Sequence, residues 1–286
     1  MNCESGPQSL ARNNAQLKGQ IKMSSARFDD TLMDFQLAYL KDGPNDDLGP
    51  CGFFWLGGFM SDMTGSKGES LAGLASAQRR NCLRFDYSGH GQSSGLFTDG
   101  TISLWLEQAT HMFLKHTRNK RIIVGSSMGG WLALLLAKRL QREDPQVFRR
   151  IGGMVLIAPA SDMTKDLMWA KMDEGDRESL VRDGVWYQPS DYGAPYPITR
   201  GLIEDGDRHS VLTEGLSFPF PVRILQGDRD TDVPPAHAVK TMDVLGGDVT
   251  LTLIKGGDHR LSTPPHLRIM RETAHQLAAR ADGDLV

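Results

Sequence analysis

The sequence predicts an α/β fold, with a mostly parallel, twisted sheet, helices on both faces and a small helical cap inserted after the sixth strand. From residue 27 onward, short apolar runs alternate with segments of helical periodicity, which is the pattern of parallel strands joined by helices. A region at about 163–218, rich in Asp, Gly, Pro and aromatic residues, interrupts the alternation and is interpreted as the cap. The 286 residues suffice for one such domain, predicted over 27–286.

The predicted strands are short runs of apolar, β-branched and aromatic residues between turn residues. The run at 121–124, Arg-Ile-Ile-Val, is a compact β-branched strand, and the run at 52–56 ends directly before two glycines. In chain order, the strands are predicted over residues 35–40, 52–56, 82–87, 121–124, 154–157, 222–225 and 249–254.

The predicted helices follow the strands. Residues 69–80 place Leu71, Leu74 and Ala75 on one face, and the strongly apolar segment 131–140 ends among basic residues, which suit the C-terminus of a helix. Helices are predicted over residues 69–80, 102–115, 131–140, 235–245 and 265–281. Because ligands of such sheets bind beyond the carboxyl ends of the strands, the loops after the strands are where reactive residues are expected.

Composition excludes several classes of protein. A net charge of −3 provides no basic field for nucleic acid, and no apolar stretch approaches the length that spans a membrane. The three cysteines, Cys3, Cys51 and Cys82, form neither a disulfide framework nor a thiolate zinc motif, and the latter two are interpreted as small buried hydrophobic residues in a reducing compartment. The sequence predicts no cofactor and no metal, and it assigns no oligomeric state.

Residues 1–26 lack the apolar run of a secretory signal. They are predicted to be a disordered extension, or to result from a start codon that was assigned too far upstream of Met23. With Glu4 as their one acidic residue, they are also compatible with a transit peptide.

Residues 125–129 read Gly-Ser-Ser-Met-Gly, a G-x-S-x-G motif that follows a predicted strand and opens a predicted helix. That context is typical of a sharp turn that lifts a nucleophilic serine above the sheet. A second match at 91–95 lies in a Gly/Ser loop, and no helical pattern begins until Ile102. Ser127 is therefore the predicted nucleophile, in preference to Ser93.

A serine hydroxyl needs a base to take its proton, and with this turn the partners follow in the order acid, then histidine. Of the histidines after Ser127, only His259 directly follows a predicted strand, whereas the others fall on helices or in the cap: His209, His237, His266 and His275. Three candidate acids follow the strand 222–225, and the pattern G-x-x-D-x-x-V-P selects Asp230 over Asp228 and Asp232. Asp230 would orient the imidazole and stabilise its charged form.

Acyl transfer also needs donors for the developing oxyanion. The amide of Met128, directly after the nucleophile, is predicted to supply one, and the amide of Phe59, after Gly57 and Gly58, the other. An ordinary tight turn is the alternative interpretation of the two glycines. A set of methionines is expected either to border the cleft or to fill the core under the cap: Met60, Met63, Met128, Met163, Met168 and Met172.

The predicted triad on this strand pattern resembles the α/β-hydrolase superfamily over about residues 27–284. Residues 84–95 resemble the loop that many members carry after the fourth strand. Shorter motifs at 125–131, 184–186, 188–190 and 258–260 are similar to the abhydrolase-domain thioesterases that remove palmitoyl groups from protein cysteines, whose animal members are mitochondrial. Some members have proline at position 57 and tyrosine at position 59, and many hydrolases have histidine at 57, so Gly57 and Phe59 bear on substrate choice.

The resemblance implies the α/β-hydrolase fold and a serine hydrolase of carboxylic esters or thioesters, acting on a small-molecule or protein-linked acyl group through an acyl-enzyme on Ser127. Two alternatives remain open: hydrolysis of a carbon–carbon bond in a diketone by the same triad, and a binding protein that kept the scaffold. Dehalogenases and epoxide hydrolases need a carboxylate where Ser127 stands. The expected location is the cytoplasm, or the mitochondrial matrix if the source is eukaryotic.

Overall fold

The computed structural model describes residues 26–44, 49–189 and 195–283. The first part of the chain alternates strands and helices and ends at the sixth strand. Its elements are β1 (Ala26–Leu32), β2 (Phe35–Asp42), β3 (Gly52–Leu56), α1 (Ser66–Ala77), β4 (Cys82–Phe85), a 3-10 turn (Phe97–Asp99), α2 (Ile102–His116), β5 (Arg121–Ser126), α3 (Met128–Glu143), α4 (Pro145–Phe148) and β6 (Ile151–Ile157).

The cap follows β6. It contains a π-helical turn (Thr164–Met168), a 3-10 turn (Trp169–Lys171), α5 (Glu174–Asp183), β7 (Val185–Gln188), β8 (Tyr196–Thr199), α6 (Arg200–Gly206), a 3-10 turn (Asp207–His209) and the short β9 (Leu216–Ser217). β7 and β8 pair antiparallel, with Trp186 opposite Ile198. The cap therefore combines the expected helices with a two-stranded hairpin that the sequence pattern did not predict.

The chain then returns to the core through β10 (Val222–Gly227), α7 (Pro235–Asp243), β11 (Leu245–Gly246), β12 (Val249–Ile254) and α8 (Pro264–Asp282). Within the described residues, eight strands form the main sheet in the order β1-β2-β4-β3-β5-β6-β10-β12. β1 pairs antiparallel with β2, and β2 with β4. The strands from β4 to β12 pair parallel, which confirms the predicted mostly parallel sheet.

Two hydrophobic layers cover the sheet, because successive residues of a strand point to opposite faces. In β3, Phe54 packs with side chains of α2 and α3, and Phe53 packs with side chains of α1 and α8. All five residues of β3 are buried. The continuous apolar run at 52–56 is thus explained by a strand that is covered on both faces.

β1 is an edge strand that the sequence analysis missed. Its sequence, ARFDDTL, lacks the apolar run of the central strands, because an edge strand needs no second buried face. Antiparallel pairing with β2, from Ala26–Lys41 to Leu32–Phe35, supplies its backbone hydrogen bonds. Of the predicted extension 1–26, residue 26 begins β1, and residues 1–25 lie outside the described residues.

Cys51 and Cys82 are free and buried, as expected. Helix α2 begins where Thr101 accepts a hydrogen bond from the amide of Leu104 at 3.1 Å, a common N-terminal cap. In the described part of the chain, none of the helices is both long and apolar enough to cross a bilayer.

Candidate active site

Ser127 lies in a strained turn between β5 and α3. Its backbone is in an unusual conformation for a non-glycine residue, with φ 55° and ψ −119°. The two glycines of the pentapeptide allow this turn: a Cβ on Gly125 would lie 2.2 Å from the carbonyl oxygen of Gly129, and one on Gly129 would lie 2.1 Å from that of Leu56. The Ser127 amide donates to the carbonyl of Ile157 at 2.9 Å, which ties the turn to β6.

The side chains of Ser127, His259 and Asp230 form a hydrogen-bonded chain. Nε2 of His259 lies 3.1 Å from Oγ of Ser127, and Nδ1 lies 2.9 Å from Oδ2 of Asp230. The three residues come from loops after β5, β10 and β12, at the carboxyl ends of parallel strands. An ionised carboxylate has no proton to donate, so Asp230 accepts a hydrogen bond from Nδ1–H of His259. Nε2 of His259 is then left to accept the proton of Ser127.

The carboxylate of Asp230 is fully enclosed and fully hydrogen-bonded. Its Oδ1 accepts from the backbone amides of Asp232 at 3.0 Å and Val233 at 2.8 Å. Its Oδ2 accepts from Nε2 of Gln226 at 2.9 Å in addition to His259. The side chain of Asp230 has 0% exposure, so its charge acts on the imidazole without intervening solvent.

Gln226 is a supporting residue that the sequence analysis missed. It is the penultimate residue of β10, and its Nε2 also donates to the carbonyl of Val233 at 3.0 Å. A polar residue directly after the apolar pair Ile224–Leu225, four positions before the acid, is the signal that marks it.

A metal ion does not fit the same group well. Oxygen atoms of Asp230 and Asp232 and a ring nitrogen of His259 lie within 4.8 Å of one another, a spacing that a cation tolerates. However, both oxygens of Asp230 already accept two hydrogen bonds each, and Nδ1 of His259 is one of the donors. A cation would have to displace these bonds, so the donor set suits a proton relay better.

The two amides predicted to face an oxyanion lie beside Ser127. Met128 is the first residue of α3, where an amide has no acceptor one turn earlier in the helix. Phe59 follows Gly58, whose added Cβ would lie 3.3 Å from Cβ of Ser127, so this backbone passes close to the nucleophile. Among the described residues, neither the amide of Met128 nor that of Phe59 donates to a protein acceptor.

The alternative residues considered from the sequence have other partners. Oγ of Ser93 donates to the carbonyl of Asp86 at 2.6 Å and accepts from the amide of Ala38 at 2.9 Å, so Ser93 joins a loop to β2. Nε2 of His237 bonds the carbonyl of Ser161 at 2.7 Å. Two other carboxylates near the triad hold turns: Asp228 accepts from the amide of Gly256, and Asp258 from that of Leu261.

A cavity of about 400 Å³ opens onto Ser127 and His259. Its apolar wall is formed by core and cap side chains together: Trp55, Phe59, Met60, Met163, Leu167, Met168, Tyr196 and Val233. Three of the six methionines expected near the cleft therefore line it, whereas Met63, Met128 and Met172 are buried in the core. Leu167 and Tyr196 were not singled out from the sequence, because only the cap fold brings them to the cavity.

The lining of the cavity also carries charge. Its charged residues are Lys67, Lys171 and Arg260, together with Asp62 and Asp232. Nζ of Lys171 donates to the carbonyl of Asp232 at 3.0 Å, which joins the cap to the loop of Asp230. Burial lowers the pKa of Lys67 to about 8.

Comparisons with known proteins agree with this architecture. A model of the family described as Alpha/beta hydrolase family matches residues 51–285. The human "Palmitoyl-protein thioesterase ABHD10, mitochondrial" is 28% identical to this chain over 229 residues, which are 79% of this chain and 72% of that protein.

Two solved structures superpose on most of the chain. A putative hydrolase from Agrobacterium vitis S4 matches with a TM-score of 0.84 and 40% identity, over 89% of this chain and 98% of that chain. The mouse alpha/beta hydrolase domain-containing protein 10 matches with a TM-score of 0.77 and 25% identity, over 90% of this chain and 99% of that chain.

Proposed function

Because the chain belongs to the alpha/beta hydrolase family and is a hydrolase, we propose that it is a serine hydrolase that cleaves carboxylic esters or thioesters through an acyl-enzyme on Ser127. The observation that carries this proposal is the continuous chain of hydrogen bonds from Oγ of Ser127 through His259 to Asp230, with distances of 3.1 and 2.9 Å. A nucleophile, a base and an orienting acid in this geometry form a hydroxyl-activating relay.

The first half of the reaction forms the acyl-enzyme. Oγ of Ser127 attacks the acyl carbonyl carbon while Nε2 of His259 takes the hydroxyl proton. The carbonyl oxygen becomes an oxyanion, which the amides of Met128 and Phe59 receive. When this intermediate collapses, the bond to the alcohol or thiol breaks, and the imidazolium of His259 returns the proton to that leaving group.

The second half releases the acid. A water molecule gives a proton to Nε2 of His259 and attacks the acyl carbonyl, and a second oxyanion forms at the same two amides. Its collapse breaks the ester bond to Ser127, whose Oγ regains the proton. The product is a carboxylic acid, and the protein returns to its starting state without a cofactor.

The charge of Asp230 orients the imidazole of His259 for proton transfer. It holds Nδ1–H of His259 and stabilises the imidazolium that forms in both halves. Because the surrounding amides and Gln226 keep the carboxylate in place, the imidazole does not have to reorient when its charge changes.

The cavity favours an apolar acyl group. Its volume of about 400 Å³ is in the ordinary range for small-molecule sites, and the thioether and aliphatic side chains of Met163, Leu167 and Met168 suit a flexible chain. The thioesterase named among the relatives acts on palmitoyl-protein, which supports a medium or long acyl thioester as substrate, attached to a small molecule or to a protein cysteine. The cytoplasm, or the mitochondrial matrix of a eukaryote, remains the proposed location.

The test is hydrolysis of p-nitrophenyl esters and acyl thioesters of graded chain length, combined with labelling by a fluorophosphonate probe. We expect activity and labelling in the wild-type protein, and neither in Ser127→Ala. Ser93→Ala is the matched control, since it removes the serine of the other G-x-S-x-G sequence, and it should still be labelled at Ser127. A Ser127→Ala protein that hydrolyses esters at the wild-type rate would refute the proposal.

A further inference from the structure

The backbone after Phe59 adopts a conformation that needs support. Met60 has φ 56°, in the left-handed region that non-glycine residues rarely occupy. Its side chain is 44% exposed, so packing of that side chain does not hold the turn. Strained residues persist only where their surroundings fix them, and they cluster at functional sites.

A hydrogen bond from the backbone amide holds this turn. The amide of Met60 donates to Nε2 of His90 at 3.3 Å. Nδ1 of His90 lies 3.2 Å from the carbonyl oxygen of Ser88, and since a carbonyl only accepts, Nδ1 carries the proton. Nε2 is therefore unprotonated and is free to accept from Met60.

The surroundings keep His90 in that state. It is 4% exposed, and its ring centroid lies 5.0 Å from that of Phe97, 5.1 Å from that of Trp105 and 5.6 Å from that of Tyr87. Burial lowers the pKa of His90 to about 4, so the imidazole is neutral over the physiological range.

The same loop anchors the oxyanion segment at a second point. Oδ1 of Asp86 accepts from the amide of Met63 at 2.7 Å, and Oδ2 of Asp86 accepts from the amide of Gln92 at 2.9 Å. The ring of Phe59 meets the edge of Phe97, with centroids 4.8 Å apart. The backbone from Phe59 to Met63 is thus held against the loop that contains His90.

We propose that His90 is a positioning residue for catalysis: its Nε2 fixes the peptide of Met60 in the left-handed turn and thereby holds the neighbouring amide of Phe59 toward the oxyanion. The inference rests on the proposed function, since it concerns the same oxyanion site. It assigns a mechanical role to a histidine that touches neither the triad nor the substrate.

Two substitutions separate the two hydrogen bonds of the imidazole. The amide group of glutamine reaches the place of Nε2, so His90→Gln keeps an acceptor for Met60. The shorter asparagine reaches only the place of Nδ1, so His90→Asn keeps the donor to Ser88 and loses the acceptor. We expect His90→Asn to lower kcat about 10- to 100-fold with little change in KM, because the oxyanion forms only in the transition state. The kcat of His90→Gln should stay within about threefold of the wild-type value. This variant keeps the acceptor for the amide of Met60, which orients the amide of Phe59 as the oxyanion donor.

The outcomes distinguish positioning from packing. If both variants lose kcat equally, or if neither does while both remain folded in thermal unfolding, the role assigned to His90 is wrong. Absence of activity and of probe labelling at Ser127 in the wild-type protein would instead contradict the proposed function.

A measurement on the wild-type protein applies even if a variant does not fold. A long-range ¹H–¹⁵N spectrum of the histidine rings should show His90 at neutral pH with Nδ1 protonated and Nε2 unprotonated. The tautomer protonated at Nε2, or the imidazolium, cannot accept from Met60 and would overturn the inference.

Discussion

Asp230→Asn replaces one carboxylate oxygen by an NH2 group of the same size, and the hydrogen bonds around Asp230 determine where that group goes. The Oδ1 position faces the amides of Asp232 and Val233, which can only donate. The Oδ2 position faces Nε2 of Gln226 and Nδ1 of His259. Both of these partners can exchange donor for acceptor, so the new NH2 group is expected at the Oδ2 position.

The substitution therefore changes which nitrogen of the His259 imidazole carries the proton. Gln226 can turn its amide and present Oε1, a buried atom with no hydrogen-bond partner in the described structure. His259 must then leave Nδ1 unprotonated and carry its proton on Nε2, facing Oγ of Ser127. That nitrogen can no longer accept the serine proton. We expect kcat to fall about 10⁴-fold, equivalent to roughly 5.5 kcal/mol of transition-state stabilisation.

Steady-state hydrolysis of a p-nitrophenyl ester measures this loss, and thermal unfolding shows whether the protein remains folded. Turning the Gln226 amide removes its hydrogen bonds to the carbonyls of Gly227 and Val233, so the melting temperature of Asp230→Asn should fall, and the kinetic comparison is made well below it. Asp228→Asn, in the same loop but outside the relay, is the control and should retain activity. A folded Asp230→Asn protein with less than a tenfold loss would refute the assignment of Asp230.

Two further predictions concern stability. Gly129→Ala would place a Cβ 2.1 Å from the carbonyl oxygen of Leu56, so it should lower the free energy of unfolding by about 1–3 kcal/mol in a urea titration. Gly73→Ala, in α1 with no atom beyond its own stretch of helix within 4 Å of the new Cβ, should raise that free energy by about 0.5–1 kcal/mol, and equal effects at the two sites would contradict the steric argument. The pKa of His90 is lowered to about 4, so on acidification below its ordinary value near 6.5 the unfolded chain binds a proton that the folded protein does not. On going from pH 7 to about pH 4, the free energy of unfolding of the wild type should therefore fall by up to about 3 kcal/mol more than that of His90→Gln, because the lowered pKa values of His116, His209 and His237 act in both proteins. An equal loss in both proteins would exclude a contribution from His90.

The parts of the molecule that the sequence predicted are those whose signal is local. The strand at 121–124, the turn at Ser127 and the apolar helix after it follow one another within a few residues, and the loops of Asp230 and His259 each follow a strand directly. Because parallel strands end at one edge of the sheet, these three positions were expected to converge, and the structure places them within hydrogen-bonding distance.

The parts that the sequence did not predict depend on contacts between distant segments. β1 is polar and is a strand because β2 supplies its hydrogen bonds. Met60 and His90 are 30 residues apart, and the local sequence around neither residue predicts the hydrogen bond between them. Leu167 and Tyr196 reach the cavity only through the fold of the cap.

The part of the cavity wall that the cap supplies and the hydrogen-bonded relay belong to different parts of the chain. Met163, Leu167 and Met168 come from the segment between β6 and β10, whereas the bonds that orient Asp230 and His259 arise from the end of β10 and from the loops after β10 and β12. Exchange of these three side chains for larger or smaller ones therefore changes the space for an acyl chain without removing any hydrogen bond of the relay. A library of variants confined to those positions would sample preferences for acyl-chain length while Ser127, His259 and Asp230 stay unchanged. This segment is therefore where substrate preference can diverge, or be redesigned, without loss of the reaction itself.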